Sequence, residues 1–334
     1  MKKITLLLFS LLLANNVSSQ ITKTKVAKKE ELKSTEPYDS LQNFLEKNVY
    51  KYLNQDLYLI EKSESLRKYG YRGFLTNYEK VDYSKMTTKE MYEASKPGAN
   101  VYKCCDSYSS KYEELKAKYF NVIDIHKHPQ AEENESLYGK KFYLELIEKE
   151  SKDTLYFEYD SQFKHSFPFL VVGFYEKQKE KLVGKEFVFK DNTLNVSSGS
   201  GLDIETGKPI TIITGDKWKC VDLTIEEKYY TLAVVVENSA GQKTTVSYDT
   251  TFDDRSYAFT ANEADKLKAK FGAGNFETIL QGKVKIGMTK EMCKLSWGEP
   301  NDINQTISAG RNSEQWVYDE NYLYFDGNKL TTIQ

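Results

Sequence analysis

Three histidines and four cysteines are the side chains of this 334-residue sequence best suited to acid–base, nucleophilic or metal chemistry. His126 and His128 alternate in the strand-like stretch Ile123 to His128, so both imidazoles can share one face. A metal would need at least a third ligand, for which His165, Glu132, Glu133 and Cys104 are the candidates. No spacing forces any of them to meet the pair, and the plainer reading is two exposed polar positions ahead of Pro129. For a cysteine nucleophile, Cys104 or Cys105 with His126 as base is the pairing to test, because so few histidines leave few bases. The small residues Ser197 to Gly201 lack the lysine and following helix of a phosphate loop and read as a plain loop.

The remaining reactive or aromatic groups have structural explanations close at hand. Neighbours on a trans backbone splay their side chains, so Cys104 and Cys105 are not expected to bond each other. Cys220 and Cys293 fall on an expected strand and an expected helix, where a free thiol acts as a small apolar residue. No essential disulfide framework is expected. Tyr69, Tyr71 and Phe74 surround Gly70 and Gly73 in an expected loop, where aromatics can stack on a glycan or grip a peptide. The competing explanation is that tyrosine, present 25 times, suits twisted sheet.

The elements that would position these groups begin with an export signal. Lys2 and Lys3, the apolar run Ile4 to Ala14, and the small residues Val17 and Ser19 read as a signal peptide over 1–19, cut before Gln20. That run is too short to cross a bilayer, which takes roughly 20 residues, and no membrane span is expected in the mature chain. No cysteine follows it, which argues against a lipid anchor. Residues 20–37 read as a flexible polar leader. A net charge of −2 with acids and lysines interspersed gives no electrostatic footprint for nucleic acid. A first helix is expected after a cap at Asp39 or Ser40, with Leu41, Phe44, Leu45 and Val49 on one face.

An internal repeat organises the body of the chain. Leu144 to Phe163 resembles Ala233 to Phe252 at a constant spacing of 89 residues, with Glu148/Glu237, Tyr159/Tyr248, Asp160/Asp249 and Phe163/Phe252 identical. Upstream, Lys118 to Val122 matches Lys217 to Val221, and Asn54 to Leu59 matches Gly184 to Phe189. Each copy then enters a lysine-rich helix, Phe174 to Leu182 or Ala264 to Phe271. Short alternating stretches rich in Val, Ile, Tyr, Phe and Thr predict half-buried strands, with hairpin turns at Ile147 to Ser151 and Glu237 to Gly241. Several short strands and one helix per copy predict two small β-barrels, 38–182 and 183–272, and their strand rhythm is similar to that of bacterial SH3-like modules.

The last segment, 273–334, has the strongest local signals. Thr289 caps a helix over Lys290 to Trp297, Met288 can staple onto Cys293, Gly298 supplies the exit and Pro300 forbids continuation. Gln315 to Tyr318, Tyr322 to Phe325 and Lys329 to Ile333 predict three strands, with a hairpin at Asp326-Gly327-Asn328. Gly287-Met288-Thr289, Gly298-x-Pro300 and Trp316-Val317-Tyr318 resemble the SmpA/OmlA (BamE-like) family of outer-membrane assembly lipoproteins, over Glu277 to Gln334. The resemblance implies a helix-helix-sheet layout and a non-catalytic envelope interaction module.

Together these features predict a mainly β chain with an α+β end: two tandem SH3-like barrels with short helices, then a BamE-like helix with a three-stranded antiparallel sheet. The expected function is that of an exported, periplasmic or extracellular binding or scaffolding protein for an envelope protein or a cell-wall glycan. No catalytic, cofactor or metal-binding residue is assigned. The alternatives are an envelope hydrolase with a Cys–His or metal-assisted site around Cys104, Cys105, His126, His128 and His165, or a secreted enzyme inhibitor.

Overall fold

The structure is a computed structural model that describes residues 37–79, 83–196, 201–210, 212–227, 229–253, 257–308 and 311–334. The expected signal peptide, the leader through Glu36 and the Ser197–Ser200 part of the loop lie outside the described residues. Strand outweighs helix, and every sheet is antiparallel. Among the described residues no helix is long and apolar enough to cross a membrane.

Repeat 1 contains β1 (Asp56–Leu59), β2 (Phe74–Leu75), the short hairpin β3 (Cys104–Asp106) and β4 (Ser109–Ser110), β5 (Tyr119–Lys127), β6 (Lys141–Glu148), β7 (Thr154–Asp160) and β8 (Phe169–Val171). Six of these form one sheet in the order β2-β7-β6-β5-β1-β8. Alternation decides its faces: Phe120 and Val122 on β5, Leu144 and Leu146 on β6, and Leu155, Phe157 and Tyr159 on β7 point inward and are buried. Phe169 sits among Phe74, Phe120, Phe157 and Phe167 at ring distances of 5.0 to 5.8 Å. Helix α1 (Val172–Leu182) follows and buries Phe174, Gln178 and Leu182, one residue per turn.

Repeat 2 contains β9 (Glu186–Phe189), β10 (Lys217–Glu226), β11 (Thr231–Glu237), β12 (Lys243–Ser247) and β13 (Ala258–Thr260), followed by helix α2 (Ala261–Phe271). Its order, β12-β11-β10-β9-β13, is that of repeat 1 without the added edge strand β2. Both repeats carry a β-bulge at the same place, Val122/Asp124 and Cys220/Asp222. In each the aspartate accepts the next N–H at 2.8 Å. Phe174 packs edge-on against Tyr248 at 5.6 Å, and the inward faces of both sheets form one continuous core.

Three expectations about the repeats need correction. The sheets do not close as barrels: β2 does not pair with β8 in one, nor β12 with β13 in the other. The repeat alignment holds from Tyr159/Tyr248 onward but slips by one residue upstream. Leu144 and Leu146 occupy the places of Val234 and Val236, because the β6–β7 turn (Glu148 to Asp153) is one residue longer than the β11–β12 turn (Asn238 to Gln242). Glu148 therefore corresponds to Asn238. The first helix is a 3-10 helix starting at Glu46, not an α-helix from Ser40. Asp39 accepts the Leu41 N–H in a tight turn, Leu41 is exposed, and the three-residue period puts Val49 and Tyr52 on the buried side. Tyr71 and Phe74 agree with the packing explanation of the aromatics: they are core residues, 1 % exposed each, while Tyr69 remains exposed. Gly70, at φ +55°, lets that loop lie against the Ser110 carbonyl, where a Cβ would collide.

The C-terminal unit has α3 (Ala273–Leu280), α4 (Lys290–Trp297) and a sheet ordered β14-β15-β16-β17 (Asp302–Ser308, Arg311–Val317, Tyr322–Asp326, Lys329–Ile333). Four strands replace the expected three. Asp302 to Thr306 is mostly polar and exposed at every position, so it carries no burial alternation and is a strand only through pairing with β15. Thr289 Oγ1 accepts the Met292 N–H at 3.3 Å and Gly298 leaves the helix at φ +88°. Met288, Cys293, Trp316, Leu323, Phe325 and Leu330 form its core, joined by Val188 and Phe259 from the outer face of repeat 2.

Candidate functional site

The joint between the repeats holds a cleft of about 640 Å³. Tyr58 of β1 and Tyr119 of β5 line one side because their neighbours Leu57, Leu59 and Phe120 take the buried positions of alternating strands. Leu170, between inward-facing Phe169 and Val171, lies beneath them. Helix α1 contributes Val172, Tyr175 and Glu176 from beside its buried stripe. The opposite side is β10, Asp222 to Ile225, with Glu227 and Tyr230 from the turn that follows.

Hydrogen bonds across the joint fix this shape. Tyr175 Oη donates to the Leu223 carbonyl at 2.9 Å, tying α1 to β10. Arg67 Nη2 donates to Tyr230 Oη at 2.9 Å, tying the Glu64–Arg67 turn of repeat 1 to repeat 2. Lys179 pairs with Asp222 at 2.6 Å, and Tyr112 Oη donates to Glu61 at 3.2 Å. Tyr58 and Tyr119 pack at 5.0 Å. Burial, then the neighbouring Glu61 carboxylate and Tyr119, push the Tyr58 phenol above its ordinary pKa, so it stays a hydrogen-bond donor. Among the described residues the lining presents four tyrosines and four carboxylates, Glu61, Glu176, Asp222 and Glu227, with Lys179 paired to Asp222 and Arg67 to Tyr230 beside it. Such a set can stack on a ring, accept hydrogen bonds from hydroxyl or amino groups, and repel anions.

The residues singled out from sequence lie elsewhere. His126 and His128 do share the outer face of β5. His126 stacks on Tyr78 at 4.5 Å and His128 on Tyr138 at 4.1 Å. His165 is on a separate short turn, Lys164–Ser166, beside Phe163. Glu132 and Glu133 are exposed in the connection after β5. Among the described residues, the His/Cys/Asp/Glu cluster with ligand-like spacing joins His126 to Asp124 and Glu145, neither of which was among the sequence candidates. Asp124 was within reach of the alternation argument; Glu145 needed the β5–β6 register, which pairs it with Asp124 across the bulge.

Cys104 and Cys105 are joined to each other across a cis peptide, with their Cα atoms 3.1 Å apart, which corrects the expectation drawn from a trans backbone. Gly98, at φ +83°, lies against both sulfurs: a Cβ there would come within 2.6 Å of Cys104 Sγ and 2.8 Å of Cys105 Sγ. Cys220 and Cys293 are free and fully buried, and burial pushes their thiols up to about 11 and about 12, so both stay protonated. No family model, no curated protein and no solved structure matches this chain.

Proposed function

We propose that this chain is an exported, non-catalytic cell-envelope protein in which two open-sheet repeats hold a glycan-binding cleft and a BamE-like module follows them. The cleft carries this reading. Tyr58, Tyr119, Tyr175 and Tyr230 offer ring faces for sugar stacking, and four carboxylates beside them can accept hydroxyl hydrogens. Among the described residues its lining contains no histidine, cysteine or serine, so it offers no Cys–His or Ser–His pair. The acidic lining disfavours phosphate-rich ligands and suits a neutral, hydroxyl-rich cell-wall polymer. A protein partner would meet the C-terminal sheet, whose edge strand β14 exposes Asp302 to Thr306 and can accept an added strand.

Binding of solubilised cell-wall glycan fragments tests the proposal. Tyr58→Ala and Tyr119→Ala should each weaken binding by about tenfold, equivalent to ~1.4 kcal/mol, with the fold retained. Equal affinity for the wild type and both variants, or no affinity in any of them, would sink the cleft as a glycan site.

A further inference from the structure

Away from the cleft, the outer face of β5 and β6 gathers three metal-ligand side chains. Asp124 and His126 alternate on β5 and so share a face, and the bulge at Val122/Asp124 sets Asp124 opposite Glu145 of β6. His126 Nε2 lies 2.7 Å from a Glu145 carboxylate oxygen and 4.0 Å from an Asp124 oxygen. One ligand atom from each of the three falls within 4.8 Å of the others, and all three side chains are partly shielded from solvent. Tyr78 lies nearly parallel over the imidazole, 4.5 Å away at 13°, and itself packs on Tyr156 at 4.8 Å, so the ring plane is set from outside the cluster.

We propose that Asp124, His126 and Glu145 form a binding site for a divalent transition-metal ion of the zinc class. Ligand chemistry chooses the class: an imidazole nitrogen with two carboxylates suits zinc and its first-row neighbours better than magnesium or calcium, which take oxygen-rich shells. Distances agree. Zinc at about 2.0–2.2 Å from each ligand holds tetrahedral neighbours ~3.3 Å apart, between the two separations observed, so small side-chain rotations close the site. A fourth position would be left for water.

The second repeat shows that the fold does not require this cluster. Asp222 is the counterpart of Asp124 and makes the same bulge contact, with its Oδ1 accepting the Leu223 N–H at 2.8 Å. Thr224 and Val235 stand where repeat 1 has His126 and Glu145. The aspartate is therefore part of the frame in both copies, whereas the imidazole and the second carboxylate occur in one. Tyr78 also belongs to that copy alone, coming from the long β1–β5 connection.

Zinc titration of the chelator-stripped full chain, followed by calorimetry and elemental analysis after gel filtration, provides the test. One equivalent per chain is expected. Binding should weaken by more than about tenfold in His126→Ala and in the near-isosteric Glu145→Gln, since even outer-shell changes cost about 10- to 100-fold. His165→Ala, on a separate turn, should bind as the wild type does. The His126 ring resonances should shift on addition of one equivalent. Absence of stoichiometric uptake by the wild type, or uptake unchanged in both His126→Ala and Glu145→Gln, overturns the proposal; glycan binding by the cleft is read separately and decides neither outcome.

Discussion

The two repeats share five strands, one bulge and one closing helix, yet differ in what they insert between the first and second of those strands. Repeat 1 runs from residue 60 to residue 118 between β1 and β5, whereas repeat 2 runs only from 190 to 216 between β9 and β10. The longer connection supplies the edge strand β2, the Cys104–Cys105 pair, Tyr78 over His126 and Arg67 at the cleft. Distinctive side chains thus concentrate on the insertion and on the surfaces it meets, while the common frame serves packing. The closing helices differ in the same sense. Tyr175 of α1 lines an open cleft, while its counterpart Ala264 of α2 is buried against the C-terminal unit.

The largest contrast lies in the core. Phe169 is fully buried among four aromatic rings, and its counterpart in repeat 2 is Ala258, only partly buried. Phe169→Ala should cost about 3–5 kcal/mol, the range for deleting a buried aromatic, measured by denaturant unfolding. Ala258→Gly should cost far less. Comparable losses at both positions would show that the repeats are not packed as differently as their side chains indicate.

Next in size is an acid response confined to one hairpin. Glu148 caps the β6–β7 turn by accepting the N–H groups of Glu150 at 2.8 Å and Ser151 at 2.9 Å, with Lys118 nearby at 3.5 Å. Burial pushes its pKa up, but the Ser151 hydroxyl, the two N–H groups and Lys118 outweigh burial and bring it down to about 2. A depressed folded pKa means stabilisation that is complete above the ordinary value of about 4.5 and is lost as pH falls towards 2. The full loss should be on the order of 3 kcal/mol. Asn238 caps the equivalent turn without a charge, accepting the Ala240 and Gln242 N–H groups at 3.0 Å each. Hydrogen exchange at pH 3 should therefore open residues 148–153 and leave 238–242 protected. Equal opening of both turns would remove Glu148 from the explanation.

These contrasts also show which parts of the fold were legible in the sequence. Local signals were: alternation gave β5, β6 and β7, the Tyr159/Tyr248 and Phe163/Phe252 matches exposed the duplication, and Thr289 with Gly298 bracketed α4. Non-local pairing was not. β14 has polar residues that become a strand only beside β15, and the one-residue slip at Asn238 depends on turn length. The cleft draws its lining from strands, helix and turns between Tyr58 and Tyr230, so no window of sequence contains it. Glu145 meets His126 through cross-strand register, which composition does not encode.

A smaller effect tests the joint between repeat 2 and the C-terminal unit. Lys190 follows β9 where repeat 1 has Ile60; both donate their N–H to the segment before the closing strand, Lys190 to Tyr257 and Ile60 to Pro168. The Lys190 ammonium is buried, donates to the Ser296 carbonyl at 3.2 Å, and burial lowers its pKa to about 8. Between about pH 8 and the ordinary 10.5 the unfolded chain binds more protons, so stability should rise with pH across that window. Lys190→Met, which restores an apolar chain as in repeat 1, should stabilise the protein by about 2 kcal/mol at pH 7 and flatten this rise. An unchanged pH profile in the variant would mean that the amine reaches water.

The smallest expected effect bears on the cleft itself. Tyr175→Phe removes the phenol that donates to the Leu223 carbonyl and keeps the ring that lines the cleft. A single neutral hydrogen bond contributes about 1 kcal/mol, so unfolding should shift by that amount and no more. Because the bond spans the two repeats, its loss should raise amide exchange along Asp222 to Ile225 while β5, the equivalent strand of repeat 1, keeps its protection. Glycan stacking depends on the ring face and should survive the change, whereas Tyr175→Ala should lose it. A Tyr175→Phe variant that loses glycan binding with unchanged exchange in β10 would assign the hydroxyl to the ligand and not to the joint. The closed contact between α2 and the C-terminal unit, built around Ala264, has no phenol to remove and serves as the internal reference.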